Sequence, residues 1–332
     1  MAATIHEALY YEKLGGSQVR CRLCPHSCTI QPGRTGICRQ RANEDGTLIS
    51  RIYGRATSTA MDPIEKKPLY HFHPGKQILS LGTNGCNFAC LHCQNWSISQ
   101  EDASTRALSP QEAVDLAVET GSFGIAYTYN EPLIWYEFVL DTSKLARERG
   151  LKNVLVTNGF IQQEPLLELL PFIDALNVDI KSIRDDFYRE ICRGRVGPVL
   201  ETAKTARAAA HVEVTNLIIP TYNDSDRDLT DLADWVRGNL GADTPAHLSA
   251  YVPRYKLNAP PTPPETLKRA YDIFAQRLEH VYLGNVTMGT GSDTFCTKCG
   301  ATLIERRGYS TCITGLDGNT CKSCGEKHNI IV

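Results

Sequence analysis

Through the middle of the chain, short apolar runs alternate with longer segments whose apolar positions recur at helical spacing. The runs are 77–82, 124–129, 153–158, 175–181, 212–219, 247–251 and 281–284. Each is apolar along most of its length rather than at alternate positions, as expected of a strand covered on both faces. Helical patterns start at Ser109 and run over 133–149, 226–239 and 264–278. The first has the clearest start, because Ser109-Pro110-Gln111-Glu112 supplies an N-cap serine, a first-turn proline and a capping-box glutamate ahead of Ala113, Leu116 and Ala117. Strand and helix in strict turn predict right-handed βαβ crossovers and a parallel sheet. Six or seven such units fall short of a closed eight-unit barrel. The fold class expected is therefore α/β, an incomplete (β/α)6-type barrel; an open doubly wound sheet has the same periodicity and stays as the alternative.

Composition narrows the setting. A chain of 332 residues can bury a full hydrophobic core, so its 13 cysteines are not needed as staples. Their number is odd, and residues 1–16 show no basic start followed by an apolar run, so the thiols are expected to be reduced and the protein cytoplasmic. The longest apolar stretch, 166–176, is broken by Glu168, Pro171 and Asp174, well short of the roughly 20 residues that cross a bilayer. A net charge of −2 gives no broad field to attract nucleic acid or an anionic membrane. What remains is a soluble enzyme or binding protein whose cysteines bind metal.

The cysteines fall into three groups. Cys21, Cys24, Cys28 and Cys38 lie near the start; Cys86, Cys90 and Cys93 follow the first predicted strand; Cys296, Cys299, Cys312, Cys321 and Cys324 come last. Cys192 alone lies in the gap between the second group and the third. This pattern divides the chain into a cysteine-rich metal-binding segment (1–75), a barrel (76–290) and a zinc-ribbon-like module (291–332). Three thiolates on one loop can hold three irons of a cubane cluster whose full set is four cysteines. The fourth iron is then open, and metal sites keep an open position when they bind substrate.

The C-x3-C-x2-C spacing of Cys86, Cys90 and Cys93 at the end of a first barrel strand resembles the radical S-adenosylmethionine enzymes. That resemblance implies a [4Fe-4S] cluster whose open iron chelates S-adenosylmethionine. It also implies cleavage of that cofactor to methionine and a 5′-deoxyadenosyl radical, which abstracts hydrogen from a substrate. His92 stands where the family commonly has an aromatic residue beside the adenine. Tyr129-Asn130-Glu131-Pro132 stands in place of the family's Gly-Gly-Glu segment, so Asn130 and Glu131 are expected at the methionyl ammonium although the glycines are absent. Thr157 and Asn158 end the next strand, and Asp179 and Lys181 share one face of the strand after it. The resemblance to glycyl-radical activases puts Asp179 and Lys181 at the ribose hydroxyls and the methionyl carboxylate; Val156 replaces an aspartate that those activases associate with a monovalent cation. His247, by strand order, and Asn216 on the preceding strand are further cofactor candidates.

Taken with residues 127–132, 177–181 and Gly284-Asn285-Val286, the three cysteine groups resemble, over nearly the whole chain, the radical enzyme of the AmmeMemoRadiSam system. That family is similar to the pyruvate formate-lyase activating enzymes. The likeness implies a flavodoxin or ferredoxin as electron donor, with either a protein or a small molecule as substrate.

The flanking groups read differently. Cys296-Thr297-Lys298-Cys299-Gly300 and Cys321-Lys322-Ser323-Cys324-Gly325 are paired knuckles 21 residues apart, spaced to set four sulfurs around one zinc with Cys312 left over. Cys21, Cys24, Cys28 and Cys38 are less regular, with His26 as a substitute ligand, and both zinc and an auxiliary iron-sulfur cluster fit them. Cys192, beside Arg193 and Arg195, reads as a packed thiol. A rival from another class is a non-catalytic zinc protein that binds nucleic acid or a protein partner through Lys298, Arg306, Arg307, Lys322 and Lys327 of the ribbon.

Overall fold

A computed structural model describes residues 6–286 and 291–332; the first five residues of the N-terminal segment and positions 287–290, at the expected junction of barrel and ribbon, lie outside the described residues. At its centre is an eight-stranded sheet: β1 (Ser58–Pro63), β2 (Gln77–Gly82), β3 (Gly124–Tyr127), β4 (Lys152–Thr157), β5 (Ala175–Asp179), β6 (His211–Ile218), β7 (Ala246–Ala250) and β8 (Val281–Gly284). From β2 to β8 the strands are parallel and each pairs with the one before it. A doubly wound sheet reverses its strand order at a switch point. This order never reverses, which makes the sheet an incomplete barrel. β1 has no counterpart in the sequence reading; it pairs antiparallel with β2, from Ser58 opposite Gly82 to Pro63 opposite Gln77.

Successive parallel strands are joined by α1 (Pro110–Glu119), α2 (Tyr136–Glu148), α3 (Gln163–Leu169), α4 (Val196–Arg207), α5 (Asp226–Leu240) and α6 (Pro264–Ala275). The expected capping box starts α1: Glu112 N donates to Ser109 Oγ at 3.2 Å and Ser109 N donates to Glu112 Oε2 at 2.7 Å. At α5 the Ser225 side chain accepts from Asp228 N, and Gly241, at φ 106°, ends the helix in a conformation that favours glycine. Leu229, Leu232, Val236 and Leu240 of α5 are buried in the main core, each worth about 1.5–3 kcal/mol of transfer free energy. The helix expected over 133–149 begins as a tight 3-10 turn, Pro132–Trp135, because the Glu131 side chain caps Leu133 N.

Two strands stop two residues short of their apolar runs, both at the carboxyl end of the barrel. β3 ends at Tyr127 because Tyr129 enters the left-handed region, at φ 72°. β5 ends at Asp179, and Lys181 N leaves the ladder to donate to the Tyr188 hydroxyl at 3.0 Å. At the opposite end, residues 64–73 return through the barrel and plug it. There Asn177 Nδ2, inside the barrel, donates to Pro68 O at 2.7 Å.

The C-terminal module sits beneath this plug. Ile331 N donates to His71 O at 2.8 Å, His73 N to Ile331 O at 2.6 Å, and Arg306 Nη2 to Tyr70 O at 2.7 Å. Among the described residues, no helix is long and apolar enough to cross a membrane.

Candidate active site

Beyond β2 the chain turns into the three-cysteine loop, and Asn130 braces that turn at both of its side-chain ends. Thr83 N donates to Asn130 Oδ1 at 3.0 Å, and Asn130 Nδ2 donates to Gly85 O at 2.8 Å. Gly85 has φ 90°, and a Cβ there would lie 2.5 Å from Gln40 Cγ and 2.8 Å from Cys38 O, so only glycine fits. The loop's far side is held by Ala89 N donating to Cys192 O at 3.0 Å and Leu91 N donating to Ile191 O at 2.9 Å. Cys192 is fully buried behind the loop, in keeping with a packed thiol.

Cys86, Cys90 and Cys93 line one wall of a cavity of about 570 Å³ at the carboxyl ends of the strands, where parallel barrels carry their chemistry. Phe88 N lies 3.3 Å and Asn158 Nδ2 3.5 Å from Cys86 Sγ, and Ser99 Oγ lies 3.0 Å from Cys93 Sγ. Burial pushes the Cys86 and Cys93 thiols up, and these donors work against it, toward the thiolate that ligates metal. All the expected cofactor residues except Asn216 and His247 line this cavity. A more open groove of about 990 Å³, bordered by Lys152, Asp174 and His211, lies at the other end of the strands and holds none of the cysteines.

Glu131 is buried and carries three hydrogen bonds: Thr157 Oγ1 and Leu133 N donate to Oε1 at 2.6 and 3.0 Å, and Asn158 N donates to Oε2 at 2.8 Å. A carboxylate has about four acceptor positions, so one remains free. Among the described residues no cation meets it, and burial pushes its pKa up to about 7. Across the cavity Lys181 Nζ and Asp179 Oδ2 pair at 2.8 Å, with the lysine largely buried. Burial disfavours the Lys181 ammonium, but the Asp179 charge outweighs it and holds the lysine protonated. His92 is buried, its Nδ1 has no partner among the described residues, and burial lowers its pKa to about 3, which keeps the ring neutral.

Two expected cofactor residues lie elsewhere. Thr215 and Leu217 of β6 line the cavity, so Asn216 between them points to the opposite face, where its Nδ2 donates to Ile180 O at 2.8 Å. His247 does face the barrel interior, but two residues deeper than Ser249, which reaches the cavity. There His247 Nε2 lies 2.6 Å from Glu213 Oε2. The same carboxylate accepts from Tyr70 N at 3.0 Å, His71 N at 2.7 Å and His211 Nε2 at 3.0 Å. His247 thus belongs to the barrel floor.

The plug contributes residues that no local signal announced. Lys66 and Lys67 line the cavity and pair with Asp62 of β1 at 2.8 and 2.7 Å, and the Tyr129 hydroxyl donates to the same carboxylate. Lys67 is only 1% exposed and lies 4.6 Å from the centre of the Tyr129 ring. The charged run from Asp62 to Lys67 is visible in the sequence, but its inward course depends on the antiparallel β1.

The cysteine sets differ in spacing. Among the described residues, Cys296, Cys299, Cys321 and Cys324 are the one group of metal-capable side chains whose ligand atoms all lie within 4.8 Å. Cys296 and Cys324 sulfurs are 3.6 Å apart, and Cys299 and Cys321 sulfurs 3.8 Å. Cys312 is exposed and stands outside the group. Cys21, Cys24, Cys28 and Cys38 instead surround a separate void. His26 borders the same void, with its Nε2 2.8 Å from Asn87 O. Arg306, one of the basic residues of the nucleic-acid alternative, is buried at the floor, 4.3 Å from the Tyr70 ring centre.

Comparison with known proteins agrees with this architecture. The model of the Radical SAM superfamily matches residues 80–236. The chain is 48% identical to an uncharacterized protein of Methanocaldococcus jannaschii, over 99% of this chain and 100% of that one. It is 25% identical to a pyruvate formate-lyase-activating enzyme of Clostridium pasteurianum, over 46% of this chain and 66% of the enzyme. To the benzylsuccinate synthase activating enzyme of Thauera aromatica it is 22% identical over 69% of each chain. A crystal structure of a radical SAM methyltransferase from Sphaerobacter thermophilus superposes with a TM-score of 0.51 at 19% identity, over 64% of this chain and 67% of that one, a likeness of fold.

Proposed function

The chain belongs to the radical SAM superfamily, and on that premise we propose that Cys86, Cys90 and Cys93 hold its [4Fe-4S] cluster and that the cavity beside them binds S-adenosylmethionine. The observation that carries the proposal is the convergence of three thiols, a buried carboxylate without a cation and an Asp–Lys pair on one cavity. The cluster, when bound, supplies the electron that cleaves the cofactor to methionine and a 5′-deoxyadenosyl radical, which takes hydrogen from a protein or small-molecule substrate.

The protein's own residues provide orientation. Glu131 offers its free acceptor position to the methionyl ammonium, a charge-assisted hydrogen bond in a dry site. Thr157 and Asn158 fix that carboxylate from the next strand, while Asn130 holds the cysteine loop in register with it. Asp179 and Lys181 offer an acceptor and a cation to the ribose hydroxyls and the methionyl carboxylate. The neutral His92 ring borders the same space.

In this reading 76–290 is the catalytic barrel, 1–75 a metal-binding segment and 291–332 a zinc-ribbon-like module, in a cytoplasmic protein that takes electrons from a flavodoxin or ferredoxin. Tetrahedral zinc with bonds of about 2.3 Å spaces its sulfurs about 3.8 Å apart, which supports zinc on Cys296, Cys299, Cys321 and Cys324. The test is anaerobic reconstitution followed by dithionite. The intact chain is expected to release 5′-deoxyadenosine from S-adenosylmethionine, and Cys93→Ala is expected to release none. A cluster-replete chain that cleaves nothing, even with candidate substrates present, overturns the reading.

A further inference from the structure

We propose that Cys21, Cys24, Cys28 and Cys38 hold a second [4Fe-4S] cluster, with Arg41 as its buried counter-charge. One zinc ion draws four sulfurs to within about 3.8 Å of one another, as the C-terminal knuckles are drawn. A cubane puts each cysteine on a different iron, so its sulfurs stand well apart. The N-terminal four meet the second condition: no three of them fall within the 4.8 Å that gathers the C-terminal set. They line a small pocket of their own instead, with Arg41 among them. In this they resemble the three cysteines of the barrel, which are equally absent from the close-packed group.

Arg41 makes the void a built site. It lines the void and is 1% exposed, and its Nη2 is bound to Glu137 Oε1 at 2.8 Å. Its Nε and Nη1 have no partner among the described residues. Leaving buried guanidinium donors unpaired costs free energy unless an acceptor meets them. A cubane with four thiolates is anionic and offers sulfur acceptors, whose hydrogen bonds tune its potential. With His26 Nε2 engaged at Asn87 O, the four thiols supply one ligand for each iron of a cubane. A cluster here would also adjoin the barrel's cysteine loop, because Cys38 O is packed against Gly85, the residue before Cys86.

The experiment uses the full chain, reconstituted anaerobically with iron and sulfide in the presence of zinc. Intact protein is expected to carry about eight irons, four for each [4Fe-4S] cluster. The variant with Cys86→Ala, Cys90→Ala and Cys93→Ala is expected to keep about four irons and a [4Fe-4S]+ electron paramagnetic resonance signal after dithionite. Cys24→Ser with Cys28→Ser is expected to remove that signal and leave the barrel's own. In the triple-alanine background, Arg41→Lys keeps the charge but withdraws the free Nε and Nη1 donors, and the midpoint potential of the remaining signal is expected to fall. Iron-free triple-alanine protein that holds two zinc ions per chain overturns the proposal. If the variants do not fold, intact protein with about four irons and two zinc ions overturns it equally. An unchanged midpoint in Arg41→Lys removes Arg41 from the site. Because the triple-alanine chain lacks the barrel cluster, its result is independent of whether the barrel cleaves S-adenosylmethionine.

Discussion

Glu131 at the mouth of the barrel and Glu213 at its floor are both fully buried, yet their surroundings are opposite in kind. Glu213 is saturated: two histidines and two backbone N–H groups donate to it, and those partners hold its carboxyl well below the usual range against the effect of burial. Glu131 receives three neutral donors and, among the described residues, no cation, and burial pushes it up to about 7. The Glu213 carboxylate spends its acceptor positions inside the protein, which is what stability requires of buried charge. The mouth keeps an acceptor position, an unpartnered His92 Nδ1 and three thiols in reserve, as expected where a ligand completes the set.

This contrast is broken most severely at the floor. Glu213→Gln strands two histidines and puts an amide among donors, and it should cost about 3–5 kcal/mol in urea unfolding, with little change in S-adenosylmethionine affinity of the folded fraction. The sign with pH follows from the depressed carboxyl. Its stabilisation is present above the ordinary value of 4.5 and lost as pH falls through the lower folded value, so acid should destabilise the native chain more steeply than Glu213→Gln. A variant of undiminished stability would show that the floor is no clamp.

At the mouth the ranking reverses. Glu131→Gln should weaken S-adenosylmethionine binding by about 10–100-fold, the worth of a charge-assisted hydrogen bond, while costing less in unfolding stability than Glu213→Gln, because no histidine is stranded and the amide can turn its NH2 to the single donor Asn158 N. Calorimetric titration and denaturation of the same variant separate the two effects. Binding to native protein should tighten as pH rises through about 7, because the methionyl ammonium needs the ionised carboxylate. Glu131→Gln should flatten that profile, and a flat profile in the native chain would remove Glu131 from the ammonium site. The smallest effect is expected at the exposed Cys312, where Cys312→Ser should change stability by less than about 0.5 kcal/mol and leave metal content unaltered.

Much of the barrel was legible because its signals are local. Parallel strands covered on both faces read as unbroken apolar runs, and the capping box at Ser109 depends on residues three apart. The cysteine loop was legible for the same reason, since its three thiols lie within eight residues of chain. Depth within the barrel was not. His247 and Ser249 share a face under the two-residue alternation, yet one reaches the floor and the other the cavity, because each step of two carries a side chain further along the barrel axis. Asn216 failed on the alternation itself, since its neighbours Thr215 and Leu217 took the inward positions.

Taken alone, the sequence determined which residues form strands, where α1 begins and which cysteines act together, all properties of neighbours along the chain. Tertiary structure decided which charges meet. The Tyr129 hydroxyl reaches Asp62 across 67 residues, and Arg41 reaches Glu137 across 96. It also decided how far apart the sulfurs of each set stand. C-x2-C spacing fixes the connection between two thiols but not the distance to the other pair, which depends on how separate segments pack. That distance distinguishes the close-set C-terminal knuckles from the N-terminal four around their void.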